Sequence, residues 1–426
     1  MAGIPIGKAP HPIAVLPFYG TGALCFVVLA VLLFVSAGEL TGHYFQPHLL
    51  AIVHTAALGW GTMVIFGAAY QLLPVVCERN LYSVPLAVVS YVMLTVGGLL
   101  LVCSFWRFDV GACMITGGSM VVVAAVLYTI NVCATVARQA HATPQQAFMV
   151  SSAIWLLITV IIGLLLAINL RDTFIPRNHL DMLKLHAHAG LAGWFLQLIT
   201  GVSTKLVPMF LLGKSKREGL LYAALGLQNV GLVLFLVDGY FNPITAKMLV
   251  YGGLVALGTL AWLLYLADAY RSRLRRKVEL LMKHAGLSFA SLVLGFVLLP
   301  VAYFGTDTRW VSLYGTFLLL GWVTALILGK TFKTLPFIVW SSRYSHLTGK
   351  TKVPLPKQLY SERLTVYQFY LYAAAFILLV AGMVADNTPL IRVALALWIL
   401  LAAVYVVNVA KVIFHKSLIT DGNTTQ

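Results

Sequence analysis

The chain of 426 residues is 60% hydrophobic and 10% charged, whereas soluble domains are about 45–50% apolar and about 25% charged. That composition excludes a cytosolic enzyme, a disordered tail protein and a nucleic-acid binder of the usual kind, and it fits a polytopic membrane protein. The net charge of +16 is the excess a many-span protein carries when Lys and Arg are concentrated in the loops of one side.

Runs of roughly 20 apolar residues, the length that spans a bilayer core, occur twelve times. In chain order they lie near 17–38, 47–76, 82–105, 109–137, 146–169, 182–212, 219–237, 245–270, 280–304, 309–340, 362–385 and 389–415. They lack strand alternation, so helices are expected rather than a barrel. A short Pro-containing leader precedes the first run, which has no clear cleavage site, so no secretory signal is expected. Cys25, Cys77, Cys103, Cys113 and Cys133 form no C-x-x-C pair and lie mostly in apolar runs. Neither a disulfide framework nor a zinc knuckle is indicated.

The loops set the orientation. The leader, the loops after even-numbered spans, the C-terminus and the adjoining helix ends hold all the Lys and Arg except Arg107, Arg171, Arg177, Lys184, Lys247, Arg309 and Arg392. The positive-inside rule then places both termini in the cytoplasm of a bacterial inner membrane. The basic run Arg271 to Lys277 reads as an orientation signal with affinity for anionic lipid.

Three spans repeat one another. His54 opens HTAALGWGTMVIFGAAYQLLPVV, His188 opens HAGLAGWFLQLITGVSTKLVPMF, and Thr316 opens TFLLLGWVTALILGKTFKTLPFI. Gly59-Trp60 matches Gly193-Trp194 and Gly321-Trp322, Pro74 matches Pro208 and Pro336, and Gln71 matches Lys205 and Lys333. The matches are ungapped and recur on the second span of each group of four. The expected fold is therefore an all-α membrane bundle, a single membrane domain 1–426. Its twelve transmembrane helices form three pseudo-symmetric units of four (about 17–137, 146–270 and 280–415), each lining the interior with its second helix.

Six of the eleven histidines gather at one level: His43, His48 and His54 around the start of the second span, and His179, His186 and His188 around the start of the sixth. Imidazole inside a membrane is costly and marks function, and it is the commonest metal and haem ligand. His54 lies about 12 Å of rise into its span, and His188 holds the matching place. His186 and His188 are about 200° apart around their helix, so they face different ways. One pairing places His54 with His188 in one site and His186 with His48 in another; the spacing leaves other pairings open. His43 and His179 read as interfacial. His11, His141, His284, His346 and His415 fall in cytoplasmic segments or at inner helix ends, where solvated or interfacial roles are expected.

Twelve spans, three units of four and histidines near the outer ends of inward-facing helices resemble the catalytic subunit of the haem–copper oxidase superfamily. The stretch from His54 to Pro74, with Gly67-Ala68-Ala69-Tyr70 and Leu72-Leu73-Pro74, is similar to the second span of the bacterial nitric oxide reductase large subunit. In that family the histidine opening this helix is an axial ligand of haem b, and the resemblance implies that role for His54. The general plan is also similar to the nitric-oxide-response membrane proteins, thought to hold haem and copper. The family's tenth-span His-x-His is absent here, where Leu313-Tyr314-Gly315-Thr316 stands, and the only His-x-His is on the sixth span. The seventh span has no histidine, so an oxidoreductase of this type would lack the family's complete binuclear centre.

The resemblance implies one or two haem b groups, possible copper, and a small gas ligand, oxygen or nitric oxide. It also implies an electron-donor cytochrome or partner subunit within the membrane lipid. Arg171 and Arg177 are placed to pair with haem propionates, or else form a mixed-charge loop with Asp172 and Asp181. Tyr70, Gln71, Lys205, Lys330 and Lys333 either line a proton or water path or are snorkelling and packing residues. Trp60, Trp194 and Trp322 read as packing residues. Two rival functions are a secondary transporter, because internal repeats are common there, and a copper-handling or assembly protein using the outer histidines.

Overall fold

A computed structural model describes residues 10–139, 142–275 and 277–416. The first nine residues of the leader, His141, Arg276 of the basic run and the last ten residues lie outside the described residues. Among the described residues, twelve helices are long and apolar enough to cross a membrane. They are α1 (Pro12–Val35), α2 (Pro47–Cys77), α3 (Val84–Arg107), α4 (Ala112–Val136), α5 (Pro144–Arg171) and α6 (His179–Leu211). There follow α7 (Gly219–Phe241), α8 (Met248–Arg271), α9 (Leu280–Phe304), α10 (Arg309–Arg343), α11 (Glu362–Val384) and α12 (Thr388–Ile413). No strand forms among the described residues.

Local sequence explains where the helices begin and end. Ser83, Ser361 and Asn387 accept from the backbone N–H three residues on. Thr143 and Gln146 close a capping box around Pro144 in the first turn of α5, satisfying N–H groups that the first turn leaves unpaired. Glu78, Phe108 and Leu212 adopt positive φ where α2, α3 and α6 stop, the left-handed residue that commonly ends a helix.

The bundle has an inner and an outer shell. The longest helices, α2, α6 and α10, at 31, 33 and 35 residues, are also the most buried. The others surround them and present residues such as Leu99, Val237, Phe304 and Ile377 outward, the surface a bilayer solvates. Around the shell α12 packs on α1, α3 on α4, α4 on α5, α7 on α8 and α11 on α12.

Each inner helix carries the same two irregularities. Residues Thr55–Thr62, Ala189–Leu196 and Phe317–Val323 are π-helical, and Pro74, Pro208 and Pro336 lie further along. π-helical turns widen the backbone and cluster at functional sites. The tryptophan of two of these turns bonds to a neighbouring inner helix. Trp60 Nε1 donates to Thr324 Oγ1 and Trp194 Nε1 to Thr62 Oγ1, both at 3.0 Å. Trp322 Nε1 is buried with no partner among the described residues.

The polar groups of the far end are mostly satisfied locally. Tyr70 bonds Ser90, Gln71 donates to the Thr334 carbonyl, and Lys333 pairs with Glu279. Lys205 is exposed. Lys330 Nζ lies 3.0 Å from Met282 Sδ and over the Phe210 ring. His284 departs from the solvated or interfacial role expected of it. It is fully buried, with its ring 5.0 Å from that of Phe369 and 5.6 Å from that of Tyr372. The cause is a close helix approach, since a Cβ on Gly329 would stand 2.6 Å from His284 Cβ.

Candidate functional site

His54 is the last α-helical residue before the π turn of α2. Its Nδ1 lies 2.7 Å from the carbonyl of Leu50, one turn earlier. An Nδ1–H donated to a carbonyl fixes the tautomer and leaves the Nε2 lone pair free, the arrangement that orients imidazole ligands. His186 uses the same device across helices, its Nδ1 lying 2.9 Å from the Thr159 carbonyl of α5. The two ring centroids lie 6.4 Å apart and the ring planes are 17° apart. Phe105 of α3 covers the His54 ring at 4.5 Å.

His188 turns to another cleft. Its Nδ1 lies 2.8 Å from the Lys184 carbonyl, and its Nε2 lies 3.3 Å from the Tyr314 hydroxyl of α10. The centroids of His188 and Tyr314 are 6.0 Å apart, with planes 26° apart. Phe235 of α7 lies 5.2 Å from His188.

The pairing of His54 with His188, and of His186 with His48, is therefore corrected: His54 meets His186, and His188 meets Tyr314. The reason is rotational. His54 and His188 hold the same register on successive inner helices, so each points to its own next cleft rather than to a shared one. His186 and Tyr314 hold the register two residues earlier on α6 and α10, and each meets the residue arriving from the helix before. In the third position the corresponding residues are Thr316 and Ile52, neither of them an imidazole.

The remaining candidates lie around this pair. His48 Nδ1 bonds the Glu39 carboxylate at 2.8 Å, and its ring stacks on Trp106 at 4.1 Å. His43 stacks on Tyr44, and His179 lies near Asn169 and Phe45. Arg171 pairs with Asp172 at 3.6 Å. Arg177 donates to the Phe241 carbonyl at the end of α7, and Asp181 pairs with Lys184. Arg177 thus ties the loop between α5 and α6 to α7, and among the described residues neither arginine bonds to the histidine pair.

The His54–His186 pair fits an axially ligated haem on three counts. Two imidazoles sharing one metal in line, at bonds of about 2 Å, have ring centroids about 6 Å apart. No three His, Cys, Asp or Glu side chains converge as a metal group among the described residues, and a macrocycle that supplies four equatorial nitrogens needs only two axial ligands. One flank is open at one point: buried Gly98, on the same face of α3 as Phe105, has no heavy atom within 4 Å of where a Cβ would stand. Gly163 of α5 is filled from the other side, because a Cβ there would lie 2.7 Å from His186 Cε1. The residues do not fit a copper centre with three protein ligands.

Tyr314, Phe105, Gly163 and the Thr159 carbonyl were not singled out by sequence. Only Tyr314 left a signal there: extending the repeat two residues toward the N-terminus aligns it with His186.

No protein-family model matches the sequence, and no curated protein matches it. Solved structures do. A heme-copper terminal oxidase dimer, determined by cryo-EM, contains a chain that matches with a TM-score of 0.67 over 95% of this chain and 84% of that one, at 11% sequence identity. The chain has a haem–copper oxidase fold. This fold, with twelve apolar spans, makes it a multi-pass membrane protein. The likeness is one of architecture, so the chemistry of this haem–copper oxidase fold rests on the side chains described above.

Proposed function

We propose that the protein binds one haem b between His54 and His186 and transfers electrons within a bacterial inner membrane. The observation that carries this reading is the approach of two imidazoles, each fixed through Nδ1 by a carbonyl, with centroids at the separation a shared metal requires. Bound there, the group would supply reversible one-electron chemistry. The chain's own residues do the rest. Leu50 and Thr159 hold the ring tautomers, Phe105 excludes water from one flank, and the surrounding helices keep the site in a low dielectric.

A haem with two protein ligands has no open position, so this geometry favours electron transfer over binding of oxygen or nitric oxide. Arg171 and Arg177 are second-rank candidates for the propionates, since both already have partners. His48 with Glu39 would modulate the charge at the outer mouth. The one-sided Lys and Arg distribution supports cytoplasmic termini. The matched π turns, prolines and histidine registers support descent from three four-helix units within one membrane domain. Copper handling has less support, because no three-ligand cluster forms among the described residues.

The test is the absorption spectrum of purified, haem-supplied protein before and after reduction. Sharp b-type bands that are altered in His54→Ala and in His186→Ala are expected. Full-length, membrane-inserted variants with unchanged bands would remove the assignment.

A further inference from the structure

The outer shell is not closed all round. α8 packs on α6 and α7, whereas α9 packs on α10 and α11. One aromatic contact crosses the seam between α8 and α9 near mid-height, Trp262 against Phe289 with ring centroids 5.2 Å apart. From there to the basic loops, the α9 side of the seam is a groove. Glu279 at the start of α9, Met282, Gly286 and Phe289 recur at helical spacing and share one face. Gly286 is exposed, and no heavy atom lies within 4 Å of where its Cβ would stand. The gap between Phe289 and Met282 is thus unfilled and opens on the bilayer. From Glu279 to Phe289 the helix rises about 15 Å, the hydrocarbon depth of one leaflet.

The lower end of this groove is basic. Lys333 of α10 pairs with Glu279, and Arg275 pairs with the same carboxylate at 2.7 Å. Lys330, one turn earlier on α10, reaches the same place. Its Nζ lies 3.0 Å from Met282 Sδ and 5.3 Å from the centre of the Phe210 ring, and Lys333 Nζ lies 5.9 Å from that ring. Three cations therefore meet one carboxylate. Arg275 is held at the mouth, because the backbone N–H groups of Leu274 and Arg275 donate to the Leu212 and Leu211 carbonyls at the end of α6. Lys330 has no carboxylate partner among the described residues; a thioether accepts only weakly. An ammonium left so within a membrane span is costly unless something neutralises it.

Two features decide what the groove takes. Its lower end lacks an anion, and its upper part lacks an apolar filling. A free anion would answer the first and leave the groove at Gly286 bare. A zwitterionic lipid would fill the groove and leave the charge uncompensated. We propose that the seam between α8 and α9 binds one anionic phospholipid, with its phosphate at Lys330, Lys333 and Arg275. One acyl chain lies along Gly286 up to the Trp262–Phe289 contact. Basic pockets between spans on the side of the basic loops are suited to such headgroups. The site is separate from the two histidines and does not depend on haem.

The experiment is native mass spectrometry of the full-length, delipidated protein in detergent, with palmitoyl-oleoyl phosphatidylglycerol or the matching phosphatidylcholine added. A single retained phosphatidylglycerol, at concentrations where phosphatidylcholine is not retained, is the expected result. Lys330→Met keeps a long apolar side chain and should weaken phosphatidylglycerol binding about fivefold. Gly286→Leu alters no charge and places its side chain in open space, so the fold is not at stake; it should weaken binding by filling the groove. Lys350→Met, at an exposed lysine of the loop between α10 and α11, should leave binding unchanged. Equal retention of the two lipids, or equal losses in Lys330→Met and Lys350→Met, would reduce the effect to general attraction and overturn the proposal. Displacement of the lipid by millimolar inorganic phosphate, with Gly286→Leu binding normally, would make this a site for a free anion and also overturn it.

Discussion

The imidazoles of His54 and His186 come from different inner helices, with centroids 6.4 Å apart and planes only 17° apart. Each gives its Nδ1 to a carbonyl, so the nitrogens left free are the two Nε2. A membrane interior does not tolerate two such groups without a use. Substituting either ring by alanine should abolish the two-histidine haem signal, because only one of the two imidazoles that would hold the group remains. His188→Ala should leave that signal in place. Absorption and low-temperature electron paramagnetic resonance spectra of the three variants check this. Loss in His188→Ala with retention in His186→Ala would restore the pairing expected from repeat position.

Gly163 tests the support behind the site. A side chain there meets His186 at once. Gly163→Val should displace the ring, lower haem content and cost about 1–3 kcal/mol through overpacking. Haem per chain and thermal unfolding give both numbers. Gly163→Ala, with a smaller intrusion, should fall between. Full haem loading in the valine variant would show that His186 does not need its present position.

The tryptophans of the π turns should differ in worth despite their common register. Trp60 and Trp194 each donate to a threonine of a neighbouring inner helix, whereas Trp322 has no such partner, since Leu196 occupies the position of Thr62 and Thr324. Phenylalanine at 60 or 194 should cost about 0.6–2 kcal/mol more than phenylalanine at 322. Leu196→Thr would supply the missing acceptor and should narrow that gap. Thermal denaturation of the set in one detergent measures it; equal losses at all three positions would remove the hydrogen bonds as the cause.

His415, just past the end of α12, joins that end of the helix to α10. Its Nδ1 lies 2.8 Å from the Tyr344 hydroxyl, and its carbonyl accepts from Arg343. Burial, then the nearby Arg343 and Lys411 charges, hold its pKa below the usual 6.5. A lowered histidine pKa means that the unfolded chain binds the proton more readily. Stability contributed by neutral His415 is therefore full above the unfolded pKa and declines as pH falls through that value toward the folded one. Protease sensitivity of the C-terminal segment should rise on going from about pH 8 to about pH 5.5, and His415→Gln should flatten the change. An equally steep change in the glutamine variant would assign the effect elsewhere.

Much of the architecture was legible from sequence because a bilayer enforces it. Each span must be apolar, long and internally hydrogen-bonded, so the twelve runs predict the helices to within a few residues. The site was legible in part. His54, His186 and His188 stand out as imidazoles in apolar sequence, and the helical angle separates the faces of His186 and His188. What misled was treating equal repeat positions as opposing ones. Where inner helices are related by rotation, equal positions point to successive clefts. The π turns were not legible at all, since an inserted half-turn leaves the hydrophobic pattern of an all-apolar helix unchanged. Phe105, Gly163 and the Thr159 carbonyl were hidden for another reason: they matter through contacts between helices distant in sequence.

The most direct test is haem stoichiometry combined with a reduced-minus-oxidised spectrum of the purified full-length protein, with His54→Ala, His186→Ala and His188→Ala beside it. The account predicts one b-type haem per chain with a two-histidine spectrum, kept in His188→Ala and lost or converted in the other two. A folded, haem-supplied protein with no haem bands, or one whose bands survive in both His54→Ala and His186→Ala, would contradict it.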